Sequence, residues 1–227
     1  MELVMSEKLF PLSPSSLSIF EECPRCFWLY VNKGYARPSI PVATITSGMD
    51  RVLKNYFDEF RVKGGLPPEI DGKVKGRLVG DLPLMEDWRR GITIEDRDLG
   101  VRFRGKLDEC LVSDDGLFIP LDFKTKGDEP KDNAHIWYQT QLESYSYLLS
   151  GTGYPTAALG YLVFVFPKKV GEAIETVQFG ATVREIPLKP DRIRGLLTQA
   201  AQLLAGPCPP RHTACQFCQW VEHTQQL

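Results

Sequence analysis

The sequence predicts an α/β fold with a central mixed sheet flanked by helices, and three observations predict it. Apolar residues recur at helical spacing near both ends of the chain. Two β-prone runs flank a strong turn signal in the middle, and an almost uninterrupted apolar run, Leu159 to Phe166, follows a further helical segment. The 227 residues suffice for one substantial core, so a single domain over residues 1–227 is expected, with a small subdomain made by residues 13–35 together with 205–223.

Each element has a local reason. Ser13 before Pro14 is an N-cap followed by a first-turn proline, which opens a helix through Ser15 to about Glu22. Pro24 restarts the chain into the aromatic segment Phe27-Trp28-Leu29-Tyr30, closed by Gly34. A second helix is expected from Ser47, with Val52, Leu53, Tyr56, Phe57 and Phe60 recurring between charged residues, and with Ser47 and Asp50 as a capping box. The glycine- and proline-rich stretch from Gly64 to Gly76 ends it.

From about Gly100 to Lys126, the β-prone runs on either side of Ser113-Asp114-Asp115-Gly116 predict an antiparallel hairpin. His135 to Leu149 carries Trp137, Leu142, Tyr145, Leu148 and Leu149 at helical spacing, and Gly151 stops it. Leu159 to Phe166 then has the composition of a strand covered on both faces. Glu175 to Leu188 alternates in polarity as an outer hairpin would, and a last helix runs from Asp191 to about Leu204. Pro207, Pro209 and Pro210 separate it from a cysteine-bearing tail.

Composition excludes some classes of function. With 43% hydrophobic and 25% charged residues the chain has the make-up of an ordinary globular protein, which argues against extensive disorder. No apolar run approaches the roughly 18 residues that span a bilayer, so no membrane partner is expected. Met1 to Phe10 lacks the features of a secretory signal, which makes a cytoplasmic location the expectation. A net charge of −2 is compatible with a local basic groove and does not decide for or against nucleic acid. Six cysteines without an export signal point to metal ligands or buried thiols rather than disulfides.

The chemistry is concentrated in the hairpin. Strand side chains alternate faces, so Asp122 and Lys124 in Leu121-Asp122-Phe123-Lys124 point to the same side. A turn centred on Asp115 sets Asp108 directly across from Asp122, with Cβ atoms roughly 4.5–5.5 Å apart. Two like charges facing each other destabilise a sheet unless a cation compensates, and carboxylates are the hard ligands that Mg²⁺ or Mn²⁺ prefers. Lys124 is placed to stabilise charge developing on a phosphate. In the next helix Gln141 and Tyr145 are four residues apart, on one helical face, and border the same pocket.

Gly105-Lys106-Leu107-Asp108, Leu121-Asp122-Phe123-Lys124 and Gln141-Leu142-Glu143-Ser144-Tyr145 resemble, in that order, the G-x-x-D, D-x-K and Q-x-x-x-Y motifs of the PD-(D/E)xK nuclease superfamily. The likeness is to its RecB-like branch, including the CRISPR-associated RecB-like exonucleases, and extends to Leu12-Ser13-Pro14-Ser15-Ser16-Leu17 and Cys23-Pro24-Arg25. The resemblance implies a restriction-endonuclease-like core and a divalent-metal-dependent deoxyribonuclease, an exonuclease or endonuclease of DNA repair, recombination or CRISPR adaptation. It implies Asp108 and Asp122 as metal ligands, the Phe123 carbonyl as a third, Lys124 as the catalytic lysine, and Gln141 and Tyr145 as supports. The implied partners are DNA, single-stranded or with ends, and a helicase or CRISPR adaptation protein. One departure stands out: where these nucleases often carry a metal-binding histidine on an early helix, the chain has Ser47-Gly48-Met49-Asp50-Arg51, with Asp50 as the replacement carboxylate. The missing histidine motivates the alternative of a noncatalytic nuclease-fold module that binds DNA or a partner.

Cys23-Pro24-Arg25-Cys26 and Cys215-Gln216-Phe217-Cys218 form two C-x-x-C pairs that together offer four thiolates, enough for a tetrahedral zinc site or an iron-sulfur cubane. Spacing does not separate the two. Resemblance to relatives with a cluster held by one early and three late cysteines implies an iron-sulfur cluster (4Fe-4S), with Cys208 as the substitute ligand and only His223 and Thr224 where a final cysteine would stand. A zinc-stapled interaction domain is the third alternative. Cys110 is expected in the core. Arg51, Lys54, Arg61, Lys63, Lys126, Lys131, Lys168 and Lys169 are candidates for tracking a phosphate backbone, whereas Trp28, Trp137 and Tyr138 are expected in the core.

Overall fold

The computed structural model describes residues 9–38, 44–171 and 176–225. In chain order the elements are β1 (Phe10–Leu12), α1 (Pro14–Glu22), α2 (Pro24–Lys33), α3 (Thr44–Lys63), β2 (Arg77–Leu78), α4 (Leu82–Arg90), β3 (Ile92–Asp96), β4 (Val101–Gly105), β5 (Glu109–Val112) and β6 (Phe118–Thr125). A 3-10 turn (Ala134–Tyr138) then leads into α5 (Gln139–Gly151), β7 (Leu159–Val170), β8 (Val177–Pro187), α6 (Asp191–Ala205) and α7 (Gln216–Thr224). This is the mixed α/β architecture the sequence predicts. The chain forms two compact units, one from Met1–Ile40, Thr93–Gly105 and Asp191–Leu227, the other from Pro41–Ile92 and Lys106–Pro190.

The second unit is built on a five-stranded sheet of order β2-β5-β6-β7-β8. β5 and β6 form the expected hairpin, with Glu109 opposite Leu121 and Val112 opposite Phe118, the register that a turn centred on Asp115 dictates. β6 and β7 are parallel, and α5 makes the crossover that such a pair requires. Strand alternation divides β6 between two environments. Ile119, Leu121 and Phe123 join Phe57, Tyr161 and Val163 in a core under α3, while Asp122 and Lys124 face α5, meeting Gln141.

Several expectations require correction. The hairpin begins at Glu109, not Gly100; Val101–Gly105 pairs in parallel with β1 in a separate three-stranded sheet of order β1-β4-β3. The region to Leu188 is one strand, not a hairpin, because β7 continues past Phe166 and pairs with β8 along its length. Gly180 faces Phe166 there, and a Cβ on it would meet the buried Phe166 ring at 2.8 Å, so a side chain at this position would displace the ring. Glu175 lies outside the described residues. α3 starts at Thr44, which puts Ser47 and Asp50 inside the helix and removes the capping box; Asp50 instead pairs with Lys54 one turn on. Val52 is off the apolar stripe and exposed.

α4 was not anticipated, although its signals are plain. Asp81 accepts from Leu84 N, a proline stands in the first turn, Met85 and Trp88 are buried, and Gly91 follows the end. Trp88 packs edge-on against Phe118 and Tyr154, with ring centroids 5.7 and 4.8 Å away.

In the first unit Ser13 and Ser16 close a reciprocal capping box on α1, and Gly34, at φ 71°, ends α2 in the left-handed conformation. Hydrogen bonds from Trp28 Nε1 to Gly206 O and from Asn32 Nδ2 to Leu204 O fasten α2 to the end of α6. Among the described residues no helix is long and apolar enough to cross a membrane.

Candidate active site and four-cysteine centre

The hairpin register, carried one residue beyond Glu109, sets Asp108 beside Asp122. Asp108 Oδ2 accepts from Phe123 N at 3.4 Å, next to Asp122 on β6, and the Asp108 charge acts on the Asp122 carboxyl. Asp122 is fully buried. Its Oδ2 lies 2.5 Å from Lys124 Nζ, yet among the described residues no donor meets it with hydrogen-bond geometry. Burial pushes the Asp122 carboxyl up to about 8, against the pull of the Lys124 ammonium and with a further push from Asp108. An under-satisfied buried carboxylate beside a second one is the arrangement a divalent cation would complete, so the residues fit such an ion.

α5 contributes the polar wall. Gln141 Oε1 accepts from Lys124 Nζ at 2.9 Å, while Gln141 Nε2 donates to Asp122 Oδ1 at 3.0 Å and to Tyr145 Oη at 2.6 Å. One amide therefore orients the lysine, the aspartate and the tyrosine together. Burial, reinforced by the charges of Asp122 and Asp108, holds the Tyr145 phenol well above its ordinary value. Phe123 sends its ring to the opposite core, 4.6 Å from Phe57, and only its backbone borders Asp108.

Asp50 reaches this group through an intermediary. Lys54 Nζ lies 2.8 Å from Asp50 Oδ2 and 2.9 Å from Asp108 Oδ1, bridging the two acids. Burial works against the Lys54 charge, but Asp108 and Asp50 outweigh it and its pKa is raised. By spacing alone Lys54 is one more cation on the surface of α3, and nothing in the sequence distinguishes a lysine turned inward from one in solvent.

A second missed group supports Asp108 from behind. Arg89 Nε donates to Asp108 O at 3.1 Å and its guanidinium binds Asp58 at 2.6 Å. Arg61, expected on DNA, is buried instead: it binds Glu109 at 2.5 Å, Asp58 at 3.1 Å and the Val79 carbonyl. Burial acts to raise the Asp58 carboxyl, but Arg89 and Arg61 hold it below its ordinary range.

The other cations and aromatics divide. The Tyr138 ring lies 4.7 Å from Lys124 Nζ and 5.3 Å from Lys126 Nζ, and its hydroxyl accepts from Lys126 at 2.8 Å. Arg51, Lys131, Lys168 and Lys169 are exposed. Trp137 is 77% exposed, not in the core, because it sits in the 3-10 turn ahead of α5 rather than on the helix face that the spacing implied. Trp28 is half-buried; Cys110 is in the core, as its surroundings in the hairpin predicted.

The first unit gathers Cys23, Cys26, Cys215 and Cys218 into one buried group whose sulfurs all lie within 4.8 Å of one another. Cys23 Sγ is 3.7 Å from Cys218 Sγ, and Cys26 Sγ is 3.7 Å from Cys215 Sγ. Cys23 is the N-cap of α2 and Cys215 that of α7, so each C-x-x-C pair occupies a helix start. Cys23 Sγ accepts from Cys26 N at 3.4 Å; at Cys215 burial acts to raise the thiol, but the backbone N–H groups of the first turn of α7 and the Cys23 and Cys26 thiols lower it to about 7. Burial raises the Cys23, Cys26 and Cys218 thiols, and a metal bound among the four sulfurs would hold them as thiolates. Cys208 is outside the group, its thiol on the Pro209 carbonyl.

None of the curated proteins matches the chain significantly. Among solved structures, the crystal structure of SSO0001 is similar at 20% identity, over 91% of this chain and 82% of that one, with a TM-score of 0.44. The family model of the PD-(D/E)XK nuclease superfamily matches residues 77–222, a span that includes Asp108, Asp122, Lys124, Gln141 and Tyr145. With well over half of its length so matched, the chain belongs to the PD-(D/E)XK nuclease superfamily.

Proposed function

We propose that the chain is a divalent-metal-dependent deoxyribonuclease that hydrolyses phosphodiester bonds in DNA, single-stranded or with ends, at the site formed by Asp108, Asp122 and Lys124. The observation that carries this reading is the buried Asp122 carboxylate, incompletely hydrogen-bonded beside Asp108, with an ammonium group 2.5 Å away. Asp108 and Asp122 would hold Mg²⁺ or Mn²⁺, with the Phe123 carbonyl as a third ligand. When bound, such an ion lowers the pKa of a water and polarises a phosphoryl oxygen. Lys124, oriented by Gln141, stabilises the charge that develops on the phosphate as water attacks. Tyr145, through Gln141, keeps that amide from rotating.

Resemblance to RecB-like and CRISPR-associated nucleases supports a role in DNA repair, recombination or CRISPR adaptation, with a helicase or adaptation protein as partner. The exposed Trp137, in the same turn as the Tyr138 that flanks Lys124, favours unpaired DNA, since an exposed indole stacks on any base. End-labelled single- and double-stranded DNA incubated with and without Mn²⁺ tests the reading. Cleavage only with the ion, lost in Lys124→Ala, is expected; no cleavage by the wild type under any condition contradicts it. Lys54, which engages both Asp50 and Asp108, favours one second reading, a noncatalytic module that binds DNA without cutting it. DNA binding that is unchanged in Lys124→Ala, with no cleavage by either protein, would select that reading.

A further inference from the structure

We propose that the four cysteines form a mononuclear tetrahedral zinc site, not the four-iron cluster that resemblance implies. Sulfur separations decide between the two. Around one zinc ion, with Zn–S bonds of about 2.3 Å, the sulfurs of a regular tetrahedron stand about 3.8 Å apart. A cubane binds each thiolate to a different iron at the outside of a much larger tetrahedron, so its cysteine sulfurs stand roughly 6 Å apart. Here two opposite pairs are each separated by 3.7 Å, and no pair in the group exceeds 4.8 Å. That space admits one ion and is too small for four irons and four sulfides.

The ligand pattern agrees. Each half of the site is a C-x-x-C pair whose first cysteine caps a helix and whose second lies at that helix's third position, so the two halves are built alike. A one-plus-three arrangement would need Cys208, which lies outside the group. Four thiolates on Zn²⁺ leave a net charge of −2, and the surroundings answer it. The Cys26 backbone N–H meets Cys23 Sγ, and the Arg37 guanidinium, paired with Glu22, lies 4.9 Å from the Phe217 ring, where its charge acts on Cys26. Zinc here has no redox role; it joins residues 23–26 to residues 215–218 and contributes its binding energy to folding.

The inference is independent of the nuclease reading, because its test needs neither DNA nor activity. The full chain is purified without air from cells supplied with both iron and zinc, and its metal and acid-labile sulfide are measured. The expected result is one zinc per chain, no labile sulfide, and no visible absorption. X-ray absorption at the zinc edge should show four sulfur neighbours, and Cys208→Ser should keep the full zinc content. Four irons with labile sulfide, one iron in place of zinc, or loss of the metal in Cys208→Ser would each overturn it. Because Cys218→Ser risks misfolding, a second measurement uses the wild type: protein stripped of metal and offered ferrous iron and sulfide should assemble no cluster, and assembly of one would overturn the proposal.

Discussion

The two candidate centres are assembled by opposite routes. Asp108, Asp122, Lys124, Gln141 and Tyr145 come from one hairpin and the helix after it, so short-range rules of register and alternation place them. The four cysteines come from positions 23–26 and 215–218, and only tertiary folding brings them together. Their chemistry differs in the same way. The four cysteine sulfurs meet one another in pairs at 3.7 Å and Cys23 accepts a backbone N–H, whereas the carboxylate site leaves Asp122 Oδ2 under-satisfied among the described residues. A structural staple would gain stability by satisfying every group, while a reactive site would hold a group that only a cation or substrate completes.

If the contrast is right, the two centres fail differently. The largest effect is expected at the staple. Structural zinc contributes on the order of 10 kcal/mol of binding free energy, so Cys218→Ser or strong chelation should unfold the unit that contains α7, seen as loss of its amide protection against hydrogen exchange. Next comes the support behind Asp108. Arg61→Ala leaves Glu109 buried without its closest partner and should destabilise by about 3–5 kcal/mol in denaturant unfolding.

Lys124→Ala should lower the single-turnover cleavage rate by about 10²–10³-fold, as for loss of one preorganised charge-stabilising donor. The smallest effect concerns pH. Without a divalent ion, Asp122 has a folded pKa raised to about 8, so its contribution is full below the ordinary carboxylate range and is lost as pH rises through about 8. Asp122→Asn should remove that slope and exceed the metal-free wild type by on the order of 1–4 kcal/mol above pH 8, with the two converging near pH 4, in unfolding at a series of pH values without chelator.

The legibility of the fold follows the same division. Asp108, Asp122 and Lys124 were readable because a two-residue period and a marked turn leave one register. The cysteine pairing was readable from matched spacings, but its metal was not, because ligand count is common to zinc and iron-sulfur while sulfur separation exists only in three dimensions. β1 and β4 were not legible as partners, since a parallel pairing of residues 10–12 with 101–103 leaves no local mark. Arg61 and Lys54 have helix-surface spacing, and their partners, Glu109 and Asp108, lie far along the chain. The exposure of Trp137 has a related cause: one 3-10 turn before α5 shifts its direction away from the face that a continuous helix would give it.

In the proposed site Asp108 and Asp122 bind one cation between them. Isothermal titration of Mn²⁺ into the zinc-loaded chain measures this without DNA or turnover. Saturable binding by the wild type, lost in both Asp108→Asn and Asp122→Asn and retained in Cys208→Ser, is the predicted result. Binding that both aspartate variants leave unchanged, or no binding by the wild type, would contradict it.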